Sequence, residues 1–238
     1  MKNVICWLLL FPLFVVAQNS GRILNMTEIT VKTGHNSQFK AGVKMYKECY
    51  EKNNGTETWT FWQRFQGEGT VYLMTSSLEN WAQFDNEDKA GDDCQMIVMN
   101  HIMPHVEKIS FNTARNLPEL SRSPAEGTKM VVATFVKVKD GRAYEEGLKE
   151  RLPFLQRAEG SPRSYVYRFM GGGEDGPHYV LSTPFKSFAA MDVQRDNIWK
   201  IIEKEKGLKV SNQMRDAAMK NVEAIWSYLY VKHDDLSK

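Results

Sequence analysis

Apolar and polar positions along this chain fall into two successive series, each reading strand, helix, strand, strand, helix, strand. The first opens at Asn25 to Lys32, β-branched and half alternating, as a strand should be. Gly34-His35-Asn36 then starts a helix whose Phe39, Val43, Tyr46 and Tyr50 stand at i, i+4, i+7 and i+11, one apolar stripe. Thr58 to Gln66 and Thr70 to Ser76 are aromatic-rich runs around Gly67-Glu68-Gly69, a hairpin signal. Ser77 stands where a helix cap belongs, with Leu78, Trp81 and Phe84 facing inward, and the helical pattern resumes through Ile97, Val98 and Ile102 until Pro104. Val106 to Thr113 closes the series as a strand.

The second series has strands at Met130 to Lys139, Ser164 to Met170, Tyr179 to Thr183 and Val222 to Val231. Its first helix runs from Tyr144 to Leu152, where Pro153 should end or bend it, and Thr183-Pro184 reads as cap and first turn of the next. Self-comparison ties the two series together. Val106-Glu107-Lys108-Ile109 with Leu120-Ser121 recurs as Val222-Glu223-Ala224-Ile225 with Leu236-Ser237, a shift of 116 (222 minus 106). The order of matches is preserved and the shift grows toward the C-terminus, chiefly through an extra segment, Asn197 to Lys206, that reads as an added short helix capped by Gly207. The expected organisation is a first repeat over 23–116, a linker rich in Pro, Ser, Gly and charge over 117–128, and a second repeat over 129–237.

A β-α-β-β-α-β unit is ferredoxin-like, with its helices on one face of a four-stranded antiparallel sheet. The last strand is apolar on both faces, with Trp226, Tyr228 and Tyr230 on one and Ile225, Leu229 and Val231 on the other. Its helix-free face therefore needs a cover, and a second sheet supplies one. The fold class expected is α+β: tandem ferredoxin-like repeats packed sheet to sheet as an intramolecular pseudo-dimeric barrel. In element order, duplication and apolar faces the mature chain resembles the dimeric α+β barrel superfamily, the group that includes antibiotic-biosynthesis-type monooxygenases, with two halves fused in one polypeptide. The resemblance implies a barrel between the sheets, which in relatives holds small hydrophobic substrates or haem.

If Ile29, Val31, Trp59, Phe61, Ile109 and Phe111 face the helices, pleating turns Glu28, Thr30, Trp62, Arg64, Tyr72 and Asn112 toward the barrel, with Arg168 as the counterpart of Arg64. These are the candidate ligand-binding residues: a few polar groups beside aromatic ones suit recognition of a small apolar molecule. Pairing of Glu28 with Arg64 at the sheet edge is the plainer alternative. His101 and His105 are four apart and would share a helical face as metal or haem ligands can, but Pro104 intervenes and no third ligand stands at a recognisable spacing. No cofactor is expected on these grounds, haem being the alternative. Gly171-Gly172-Gly173 joins two strands rather than a strand and a helix, so it reads as a hairpin and not as a phosphate loop. No nucleophile elbow, Cys-x-x-Cys or His-Glu-x-x-His is present.

Composition changes the picture in three places. Among 238 residues, 31 basic and 29 acidic ones are interspersed, a net charge of +2, so no nucleic-acid partner is expected. Lys2 followed by the apolar run Val4 to Val16, with Val15 and Ala17 at the small-residue positions, reads as a signal peptide over 1–17. That run is too short for a membrane span, and a secreted or periplasmic protein follows. Export would leave Cys49 and Cys94 in an oxidising space, although spacing alone does not pair them. The function expected is binding of a small apolar molecule in the barrel by a monomer with internal two-fold pairing. A cofactor-independent oxygenase or isomerase-like enzyme, or a structural or interaction protein with a filled barrel, are the alternatives.

Overall fold

The structure, a computed structural model, describes residues 21–238; the expected signal peptide over 1–17 lies outside them. The first repeat contains β1 (Ile23–Val31), α1 (Asn36–Lys52), β2 (Thr60–Arg64), β3 (Thr70–Leu78), two short helices α2 (Lys89–Asp93) and α3 (Gln95–Ile97), and β4 (Val106–Asn116). The second contains β5 (Met130–Val138), α4 (Gly141–Glu159), β6 (Tyr165–Phe169), β7 (Tyr179–Phe185), α5 (Ile198–Lys206), α6 (Leu208–Asn221) and β8 (Val222–His233).

Each repeat forms one antiparallel sheet, ordered β4-β1-β3-β2 and β8-β5-β7-β6. Each sheet alone would expose two unpaired edges, an open invitation to association. Here β2 pairs with β8 and β4 with β6, so the two sheets close into one eight-stranded barrel without an edge. The helices pack outside it. Register then assigns the faces: Arg64 lies opposite Tyr230, and Ala133 and Phe135 lie opposite Tyr228 and Trp226, so the aromatic face of β8 points inward.

Four apolar clusters result. Phe39, Val43, Tyr50, Trp59, Phe61 and Tyr72 fill the space under α1. Val136, Tyr144, Val166 and Tyr179 do the same under α4. Ala133, Val180 and Tyr230 form the interior of the barrel, with Trp62, Phe135, Tyr167, Phe169 and Tyr228 packed around them. Phe154, Ile201 and Ile202 join α4 to α5.

The end of each repeat is planted in the other. Leu117 and Leu120, in the segment read as a linker, are buried in the cluster under α4, and Ser121 Oγ accepts from the Val166 N–H at 2.8 Å. At the C-terminus Leu236 is buried in the cluster under α1, and Ser237 Oγ accepts from the Phe61 N–H at 2.9 Å. Trp59 Nε1 donates to the Leu236 carbonyl, and Lys238 N–H to the Trp59 carbonyl, both at 2.9 Å. The recurring Leu-Ser pair in the sequence is therefore a reciprocal clasp.

Several local expectations are corrected. Ser77 does not cap a helix: β3 runs on to Leu78 because the start of β1 offers Ser77 and Leu78 ladder partners. Trp81 and Phe84 consequently sit on an exposed 3-10 turn, stacked on each other, and Asp88 caps α2 instead. Thr183-Pro184 likewise continues β7, paired with β5 as far as Phe185. Pro153 lies within α4, whose helical path tolerates the loss of one hydrogen bond while Phe154 is buried against α5. The added segment in the second repeat is the helix α5, capped by Asn197 Oδ1 accepting from Lys200 N–H at 2.9 Å. Cys49 and Cys94, 45 positions apart, form a disulfide with a Cα–Cα separation of 6.0 Å that ties α1 to the end of α2.

The clasp makes a direct prediction. Leu236→Ala and Leu120→Ala each remove a buried side chain and should lower the unfolding free energy by roughly 2–5 kcal/mol, the cost usual for such cavities. Equilibrium urea denaturation measures it, and losses within about 0.5 kcal/mol, the size of an ordinary surface substitution, would mean the ends are merely resting on the surface.

Candidate functional site

The barrel interior is the first place to look, and its register settles which candidates face it. Glu28 lies opposite Leu73 and Ser110, Asn112 opposite Met26, and Trp62 opposite Leu73 and Lys232, all on the inner side with Arg64 and Tyr230. Tyr72 does not. It lies opposite Ile29 on the helix side, buried against Phe39, and its hydroxyl donates to Asn36 Oδ1 at 2.8 Å. Arg168 is also outside, opposite Tyr179, and pairs with Glu145 on α4 at 3.0 Å. Both reversals have one cause: cross-strand partners share a face, so Tyr72 follows Ile29, while Arg168 corresponds to Gln63 rather than to Arg64. Phe111, on the helix side, is left 70% exposed.

Aromatic side chains line the barrel, most of them half-buried around Tyr230. Trp62 Nε1 is satisfied by Thr75 Oγ1 at 3.0 Å, and the Arg64 guanidinium lies 4.7 Å from the centre of the Tyr228 ring. Near the mouth, Arg64 also donates to the Glu68 carbonyl of the hairpin. Among the described residues, Arg64 Nε and the Tyr230 hydroxyl are buried donors without a protein partner. Burial, and after it Glu28, push the Tyr230 phenol above its ordinary range, so it stays protonated. The interior thus presents a polar notch at Arg64 and Tyr230 beside half-buried aromatic side chains.

A larger concavity lies outside the barrel, in the second repeat. The helix α5 that only this repeat carries holds Ile198 and Trp199 away from the sheet, and Ile225 beneath is left 58% exposed. The hollow of about 590 Å³ between them is walled by Leu148, Leu152 and Leu155 of α4 and floored by Val166 and Leu181. A second hollow of about 410 Å³ runs between α4 and α6, past Met214 and Ala217. Tyr144 and Arg151 line both.

Arg151 is the chemically distinctive group in this cleft. Its guanidinium lies 5.3 Å from the Trp199 ring centre, and among the described residues no carboxylate forms an ion pair with it. Burial lowers its affinity for the proton, with Tyr144 and Glu150 acting in the opposite sense. Gly147, one turn earlier, makes the room: a Cβ there would stand 3.2 Å from Arg151 Nη1. Burial also pushes the Tyr144 phenol up to about 12, leaving it a neutral donor. The other arginine of the wall, Arg163, is neutralised by Glu159. A mostly apolar hollow with one unpaired cation can take an apolar molecule that ends in an acidic oxygen group.

Sequence reasoning missed Arg151 because its functional signal is the absence of a partner, which only the packed structure reveals. The inserted helix was legible; that it props a cleft open was not.

No family sequence model matches this chain, and no curated protein does. Solved structures match over nearly its full length. A proposed monooxygenase from Lactobacillus acidophilus NCFM is 15% identical, with 89% of this chain and 94% of that one covered at a TM-score of 0.55. This is the dimeric α+β barrel fold. An anthrone oxidase-like protein is 12% identical over 90% of this chain and 92% of its own, at a TM-score of 0.55. A chlorite dismutase variant from Candidatus Nitrospira defluvii is 8% identical over 92% and 93%, at 0.51. At these identities the likeness concerns the fold.

Haem, which the fold resemblance brought into question, does not suit the cleft. Among the described residues no histidine or cysteine lines either hollow, so neither offers an imidazole or a thiolate to haem iron. The two histidines weighed from sequence do not share a face either. The chain passes from a π-helical turn, Val98–Ile102, into a 3-10 turn, Met103–His105, so His101 is exposed while His105 turns to His35. Among the described residues no helix is long and apolar enough to cross a membrane.

An unpaired, largely buried cation should burden the fold. Arg151→Met, which keeps the stem and removes the charge, is expected to leave stability unchanged or to raise it, by up to about 1–2 kcal/mol. Loss of more than about 2 kcal/mol in urea denaturation would show that Arg151 has a structural partner after all.

Proposed function

We propose that the protein binds a small, largely apolar molecule bearing one acidic oxygen group in the cleft of the second repeat, with Arg151 as its anchor. The observation that carries this reading is the unpaired guanidinium set among Leu148, Leu152, Trp199 and Ile225. Burying a lone charge is costly unless something else is gained, and a ligand carboxylate repays it with charge-assisted hydrogen bonds worth about 1.5–3 kcal/mol each. The hollow lies within the roughly 300–1,000 Å³ common for small-molecule sites. The ligand thus belongs outside the barrel, where the inserted helix gives one repeat a site the other lacks.

Two further parts of the proposal have their own support. The apolar N-terminal run and the Cys49–Cys94 disulfide favour an exported protein, since disulfides persist in oxidising compartments. Turnover is the second reading: solved neighbours are described as a monooxygenase and an anthrone oxidase-like protein, which favours an aromatic substrate with an acidic hydroxyl, oriented by Arg151 and Tyr144. The notch at Arg64 and Tyr230 is the alternative location, favoured by its two unpartnered donors.

Isothermal titration with decanoate and 1-naphthoate, each beside its uncharged alcohol, tests the assignment. The acids should bind and the alcohols bind more weakly, with Arg151→Met reducing acid affinity by about 10- to 100-fold and Arg64→Met leaving it unchanged. Equal affinity in Arg151→Met overturns the cleft; a loss confined to Arg64→Met moves the site to the barrel mouth. Oxygen uptake during titration with 1-naphthol and related aromatic hydroxyl compounds distinguishes turnover from binding alone.

A further inference from the structure

We propose that His35 and His105 form a copper site at the joint between α1 and the end of the helical segment that precedes β4. His35 stands immediately before α1, its side chain capping nothing, and His105 ends the 3-10 turn after the π-helical turn. Their Nδ1 atoms share a hydrogen bond at 2.9 Å, one ring donating to the other, and their ring centres are 5.2 Å apart. The backbone fixes both: Lys32 N–H donates to the His105 carbonyl at 2.9 Å, and His35 N–H to the Lys32 carbonyl at 3.0 Å.

With metal–nitrogen bonds of about 2.0–2.1 Å, two ligands at a right angle stand about 2.8–3.0 Å apart, whereas tetrahedral ligands stand about 3.3–3.4 Å apart. A separation of 2.9 Å, spanned by the shared proton when no metal is bound, is also that of adjacent corners of a tetragonal site, the geometry of Cu(II), which heads the affinity order of first-row divalent ions. Met99 and Met103, in the same segment, are exposed where methionine is usually buried, and their thioethers are the soft donors that favour Cu(I). The remaining positions fall to solvent, since among the described residues no group of three or more His, Cys, Asp or Glu side chains surrounds an ion site. A π-helical turn directly beside the pair is the kind of irregularity that recurs at functional sites.

The second repeat supplies the comparison. At the equivalent joint Asp140 N–H donates to Asn221 Oδ1 at 2.8 Å, and Asn221 Nδ2 donates to the Asp140 carbonyl at 2.7 Å. The fold thus closes this joint perfectly well without histidine, so the first repeat's pair is available for another task.

That equivalence also provides a substitution the fold already uses. The full mature chain and the His35→Asp/His105→Asn double variant would be titrated with Cu(II), followed by electron paramagnetic resonance. Binding of Cu(I) would be measured by competition with bicinchoninate, with His101→Ala and Met99→Leu/Met103→Leu alongside. One Cu(II) per chain with nitrogen hyperfine structure is expected, weakened at least 100-fold in the double variant and unchanged in His101→Ala. The methionine variant should lower Cu(I) affinity at least tenfold while sparing Cu(II). Undiminished Cu(II) binding in the double variant, or tighter binding of Zn(II) than of Cu(II), overturns the proposal. A thermal melt of the double variant matching the parent ensures that lost binding reports the ligands and not an unfolded joint.

Discussion

Everything in this molecule depends on the reciprocal clasp at the ends of its two repeats. Leu120 lies in the core of the second repeat and Leu236 in the core of the first, each followed by a serine that bonds the other repeat's edge strand. With the clasps in place, β2 meets β8 and β4 meets β6, and two sheets that would each carry two sticky edges become one closed barrel. Closure in turn gathers the inner aromatics, Trp62, Phe135, Tyr167, Phe169 and Tyr228, around the buried Tyr230. The outer faces are where the two repeats differ.

The duplication, the order of elements, the added helix and the two apolar faces of β8 were all legible in the sequence, because period and self-similarity survive divergence. Misread features were those where long-range pairing outweighs local preference. Ser77 and Thr183-Pro184 look like caps, yet each continues a strand because a neighbouring strand supplies ladder partners. Tyr72 and Arg168 were assigned to the interior by counting along single strands, and cross-strand register reverses both. Glu28, Trp62, Arg64 and Asn112 do face inward, and Phe135, Tyr167 and Tyr228 of the second repeat line the same interior. What surrounds them is a property of eight strands at once, which no single strand's pattern reports.

Asymmetry between the repeats is where the chemistry accumulates. In the second, the inserted helix stands off the sheet and creates a cleft around an unpaired guanidinium. In the first, a pair of histidines occupies the joint that its twin closes with Asp140 and Asn221. A fused pair of repeats is free to diverge in this way, whereas a homodimer must duplicate every substitution. The cleft and the histidine joint lie in different repeats, so that either can be altered without the other.

Native mass spectrometry of the protein isolated from its own source tests the account at its centre. Because one chain closes the barrel and only one repeat has the cleft, the account predicts a single-chain species carrying one small acidic molecule, released on gentle activation. A species of two chains, or a chain carrying two equivalent molecules, would contradict the asymmetric, self-closed protein described here.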